Sequence, residues 1–181
     1  MDSDVELRKE VFAWFGAAAY HAQCVEVELI IARLFLLRRG EPEPRAEVWQ
    51  KVEGEKRTLG NLLRFLRNEI ELGENEVALL TTTVDDRNSL AHDYWYRRSS
   101  LLATRSGCRE LVANLQEMSE RLKQAAETAK VISKRVRAQA GIAETVVRQI
   151  QEDFVQRLQQ GESEDAIIDR QKRILKKHRS R

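Results

Sequence analysis

The sequence predicts an all-α fold, an antiparallel four-helix bundle with a C-terminal helical hairpin appended. Two observations carry this expectation. Turn formers are scarce, with 8 Gly and 2 Pro among 181 residues, while Leu, Ala, Glu, Arg and Gln favour helices. Apolar residues then recur at three- and four-residue steps over most of the length, the period of one helix face. That regularity argues against a disordered chain. The length suits one domain with a real core plus an extension.

The elements follow in order. A first helix is expected over residues 4–37, where Leu7, Val11, Trp14, Ala18, Val25, Leu29, Ala32 and Leu36 share a stripe. It stops before the proline-containing loop at 40–44. A second helix over 56–71 turns Leu59, Leu62, Leu63, Leu66 and Ile70 inward and ends at Gly73. A third over 74–96 carries Val77, Leu80, Val84, Leu90 and Ala91, with a break expected at Ser99 and Ser100. The fourth is long: Leu111, Leu115, Met118, Leu122, Ala125, Ala129, Ile132 and Val136 run for more than three heptads, as a bundle-spanning helix or a seam for a second subunit. After Gly141 a helix over 143–160 is expected, then Gly161, then a last helix capped by Ser163 with a basic end from Arg170. The division is a bundle over 1–140 and an extension over 141–181.

The formal charge of +2 is unevenly spread. Residues 1–100 hold 14 Lys and Arg against 18 Asp and Glu, whereas residues 101–181 hold 17 against 11. A basic C-terminal half suits a polyanionic partner, although helical proteins also show such a bias without one. Cys24 and Cys108 are far apart and share no metal-ligand spacing with His, which reads as two reduced, structural thiols in a cytoplasmic protein. The most apolar stretch, residues 11–37, is interrupted by His21, Glu26, Glu28 and Arg33, so it reads as a core helix and no membrane span is expected.

One segment breaks the local rules, namely Arg87-Asn88-Ser89-Leu90-Ala91-His92-Asp93-Tyr94. Val77, Leu80, Val84, Arg87, Ala91 and Tyr94 form one helical stripe, so Arg87 stands where an apolar residue is expected. A guanidinium there is costly unless it is paired or lines a polar cleft. Such violations are typical of functional positions. His92 follows Arg87 by five residues, about 140° around an ideal helix, and Asn88 lies four residues before His92 on its own face. An Arg and a His in one cleft suit phosphodiester cleavage. Histidine can accept the proton of a ribose 2′-OH or donate one to the leaving 5′ oxygen. Arginine can hold the phosphate and offset the charge of the transition state. That reaction needs no metal, and no cofactor is expected.

Arg-Asn-x-x-x-His with a Tyr two residues after the His, on a helix of a small bundle, resembles the HEPN superfamily. The fuller Arg-x4-His-x-Tyr form is similar to HEPN toxins that pair with nucleotidyltransferase antitoxins. The resemblance covers roughly residues 1–137. It implies a metal-independent endoribonuclease, with a toxin or phage-defence role, acting on RNA as a homodimer in which two motifs meet. Arg87 and His92 would be catalytic, with Asn88, Asp86, Asp93 and Tyr94 supporting. Tyr94 would be the residue for a nucleotidyltransferase partner to modify, and Arg97 and Arg98 would track an RNA backbone. The bare Arg-to-His spacing is not specific, since Arg173 and His178 match it too. The extended string carries the resemblance.

Other readings stand beside this one. Arg87 and His92 fit a satisfied polar cluster, with Arg87 paired to Asp86, Glu76 or a partner helix. Tyr94 and Trp95 fit bundle-core aromatics. Arg97 and Arg98 fit complements to a helix C-terminus. His21 reads as a polar residue at a helix interface. On this view the chain is a non-catalytic dimeric module that binds protein or nucleic acid. A DNA-binding regulator using residues 163–181 ranks third, because that segment has charge but no recognition-helix pattern.

Overall fold

The structure, a computed structural model, describes residues 2–37, 58–141, 144–163 and 166. The described part is all-α: α1 (Asp2–Leu37), α2 (Leu59–Glu69), α3 (Glu74–Asn88), a π-helical turn (Ser89–Asp93), α4 (Tyr94–Arg98), a 3-10 turn (Ser99–Ala103), α5 (Arg105–Gln139) and α6 (Glu144–Gln159). No strand occurs among the described residues. None of their helices is long and apolar enough to cross a membrane. The loop expected at 40–44 and the basic segment from Arg170 lie outside the described residues.

Each boundary has a local cause. Thr58 caps α2, its hydroxyl accepting the Asn61 N–H at 3.3 Å. Gly73 starts α3 rather than merely ending α2, since its N–H donates to the Glu76 carboxylate at 2.9 Å. Glu76 also pairs with Arg135 of α5 at 3.1 Å. The expected break at Ser99 is the 3-10 turn, and Thr104 then caps α5 through the Gly107 N–H at 3.0 Å. A Cβ on Gly107 would stand 2.2 Å from the Leu101 carbonyl oxygen, so only glycine admits this close reversal. Gly141, with φ of +76°, ends α5, and Glu144 ties α6 back to Lys134 and Arg137 at 3.3 and 3.6 Å. The Ala166 N–H donates to Ser163 Oγ at 3.4 Å, as the expected cap requires.

α1 and α5 are the long members and share the most extensive contact of the molecule. They run in the same direction. Val11, Ala18 and Ala22 pack with Leu111, Leu115 and Leu122, while Leu29, Ala32 and Leu36 pack with Ala129, Ile132 and Val136. α3 runs opposite to both, because Glu26 meets Arg87 and the earlier Phe15 meets the later Tyr94. This departs from a bundle of four strictly alternating helices, where the first and last would oppose. The physical reason is connection length. The tight links at 70–73 and 99–104 impose antiparallel neighbours on the elements they join.

The core has two ends. One is aliphatic, built from Val25, Leu29, Leu62, Leu66, Leu80 and Ile132. The other is built around Tyr94, fully buried and flanked by Phe15 and Trp95 at ring separations of 5.7 and 5.3 Å. Residues 86–94, which include the motif, join the two.

Candidate functional site

The motif does not sit on an ideal helix. At Ser89–Asp93 the backbone widens by one residue per turn, and the Tyr94 N–H bonds to the Ser89 carbonyl, five residues back. Isolated π turns of this kind are rare and occur often at functional sites. The 140° separation expected between Arg87 and His92 therefore does not apply, because the helix between them is overwide.

Arg87 lies in the last turn of α3. Its Nε donates to Glu26 Oε1 of α1 at 2.6 Å, and its Nη1 donates to Asn88 Oδ1 at 3.4 Å. The side chains of both Arg87 and Glu26 are about a quarter exposed, at 25% and 23%. This is a charge-assisted bond at the edge of the core. It borders an open cavity of about 270 Å³ between α1 and the π turn, walled by Phe15, Ala19, Ala22, Gln23 and Ala91 besides the ion pair. Small side chains facing each other across the two elements leave this space.

The deeply placed charge is the neighbouring Asp86, only 9% exposed. Arg121 of α5 grips both of its oxygens, Nε to Oδ2 at 3.1 Å and Nη2 to Oδ1 at 3.2 Å, and reaches Glu117 at 2.7 Å. The bond to Asp86 pushes the Arg121 pKa further up. α3 is thus pinned to α5 one residue before Arg87. Asp86 supports by fixing the backbone and does not reach the cavity.

His92 is exposed and is not among the residues around the cavity. Its imidazole has no hydrogen-bond partner among the described residues. Within the chain, then, Arg87 faces the α1 cavity and His92 faces solvent. Asp93 pairs with Arg97 on the surface at 3.6 Å. Arg98 lies over the Tyr94 ring, 5.0 Å from its centroid, so one of the two arginines expected to track RNA is engaged in packing.

Tyr94 is a core residue. It is 0% exposed, and its hydroxyl donates to Asn114 Oδ1 at 3.2 Å. Burial pushes its phenol pKa up, with Arg98 pulling the other way. A transferase could not reach that hydroxyl in the folded chain, which removes the geometric basis for Tyr94 as a modification site. His21 bonds Ser119 at 3.2 Å across the α1–α5 interface, a structural role. Both thiols are free. No group of three or more His, Cys, Asp or Glu is placed to hold a metal ion among the described residues.

Glu26, Gln23, Arg121 and Asn114 complete the site, and motif spacing alone does not reveal them. Glu26 does leave a signal, since it interrupts the apolar run of α1 and must find a cation when that face packs. The chain matches no family model, no curated protein and no solved structure.

Proposed function

We propose that this chain is a metal-independent endoribonuclease of HEPN type, acting as a homodimer with a four-helix HEPN-like core. The observation that supports it best is the state of Arg87. Glu26 anchors its Nε, while Nη2 has no partner among the described residues and remains free for a phosphate oxygen. A pre-oriented guanidinium with a free edge is what phosphate recognition needs.

In the proposed reaction Arg87 holds the scissile phosphate and offsets charge on its oxygens as the 2′-oxygen attacks. His92 transfers a proton, and Asn88 steadies the Arg87 guanidinium. One His per subunit is too few for both acid and base, so a second copy supplies the other. Phe12, at 54% exposure and packed on Trp95, and Tyr96, at 89%, offer apolar surface near the motif for that copy to cover. A toxin or phage-defence role, with an antitoxin partner, rests on the resemblance alone.

The Arg87–Glu26 pair within one subunit, together with His92 lying off the cavity, favours a second reading, a non-catalytic dimeric interaction module. Incubation with total RNA and labelled tRNA in EDTA separates the two. The nuclease reading predicts cleavage leaving 2′,3′-cyclic phosphate or 3′-phosphate ends. Intact RNA with folded, dimeric protein supports the module.

A further inference from the structure

We infer that the cavity between α1 and the π turn is a nucleobase pocket that selects guanine beside the scissile phosphate. The inference rests on the ribonuclease reading, which brings RNA to Arg87. At about 270 Å³ the cavity falls just below the range of about 300–1,000 Å³ typical of small-molecule sites, so it suits a single planar ring system. Its walls are suited to one. Ala19, Ala22 and Ala91 are short and apolar, and Phe15 offers an aromatic surface of the kind on which splayed-out RNA bases stack.

The polar groups determine the choice of base. Glu26 is an acceptor only, and Arg87 occupies Oε1, which leaves Oε2 without a partner among the described residues. Guanine presents two adjacent donors, N1–H and the 2-amino group, to such a carboxylate. Adenine and cytosine each place a ring acceptor next to their single amino donor, and uracil flanks its one N–H with two carbonyls. A carboxylate repels those acceptors. Gln23 lies one turn before Glu26 on the same wall, and its amide can donate to guanine O6. Arg87 holds Glu26 in place and leaves Nη2 for the phosphate of the same nucleotide. The ion pair that argues for a structural role in the isolated chain thus becomes the joint between base reading and phosphate binding.

The test titrates the full chain with the 3′-monophosphates of guanosine, adenosine, cytidine and uridine by calorimetry, and cleaves four oligoribonucleotides that differ in one base. Guanosine 3′-monophosphate should bind about 10-fold or more tighter than the others, the discrimination expected of one well-placed base contact. Glu26→Gln should abolish the preference. Ala91→Leu fills the cavity from an exposed position that tolerates change, and it should remove guanosine 3′-monophosphate binding from a folded protein even if Glu26→Gln fails to fold. Equal binding of all four nucleotides, or guanosine binding unaffected by Ala91→Leu, overturns the pocket. Base-independent cleavage overturns the pocket and leaves the nuclease. Selective guanosine binding with intact RNA keeps the pocket and removes the nuclease, and neither binding nor cleavage removes both.

Discussion

The two ends of the core are built on opposite plans. Around Leu29, Leu66 and Ile132 the fully buried set is aliphatic, with Phe35 and Phe65 packed against its edge, and each of the three named residues is less than 2% exposed. Around Tyr94 the packing is aromatic, the helix is overwide at Ser89–Asp93, and charged pairs enter at Asp86–Arg121 and Glu26–Arg87. The first end does what burial of apolar area does everywhere. The second keeps charge and an open cavity at positions where a purely stabilising sequence would place leucine. The contrast separates an aliphatic end from one that holds charge and open space.

Four substitutions sharpen that contrast, in descending order of effect on stability. Leu29→Ala leaves a cavity in the aliphatic end and should cost about 2–5 kcal/mol in denaturant unfolding, with the folded fraction keeping its function. Asp86→Ala removes both bonds to a half-buried Arg121 and should cost about 1.5–3 kcal/mol, as charged hydrogen bonds do. A loss below about 0.5 kcal/mol would mean that Asp86 does not pin α3.

Tyr94→Phe comes third, with about 0.5–1.5 kcal/mol for the bond to Asn114. It also makes a pH prediction. Burial raises the Tyr94 pKa above the ordinary 10.0, so the folded state holds the phenol proton more tightly than the unfolded state. The resulting stability is complete below pH 10.0 and is lost as the pH rises above it. Unfolding curves across the alkaline range should show that decline in the parent and a shallower one in Tyr94→Phe. The smallest stability effect belongs to His92→Ala, within about 0.5 kcal/mol, because the side chain is exposed and unpartnered among the described residues.

Much of the fold is legible in the sequence. The stripe of α1 predicts most of its buried set: Val11, Ala18, Val25, Leu29, Ala32 and Leu36 are buried, whereas Leu7 and Trp14 are only partly buried and the buried Ala22 lies off the expected stripe. The heptads of α5 likewise predict Leu111 to Val136, and they are satisfied by α1 within the chain. The parallel course of α1 and α5 is not legible, because periodicity identifies a face but not the direction of its neighbour. The π turn is equally hidden, since no residue in Ser89–Asp93 demands it and tertiary contacts decide the local winding. At the site, the anomaly of Arg87 is visible from the stripe it interrupts, but Glu26 lies 61 residues away and only folding brings the two together. Asp86 and Arg87 exchange roles relative to the simple stripe. Asp86 is the deeper charge and Arg87 the one at the cavity, because one residue of helix phase decides which enters the core.

The most direct test of the account is to measure RNA cleavage and unfolding free energy on the same His92→Ala preparation, beside the parent and in EDTA. The account predicts unchanged stability and cleavage slower by about 10²–10⁴-fold, the usual worth of a proton-transferring side chain. Cleavage at the parental rate from equally stable His92→Ala protein would contradict it and leave the motif as structure alone.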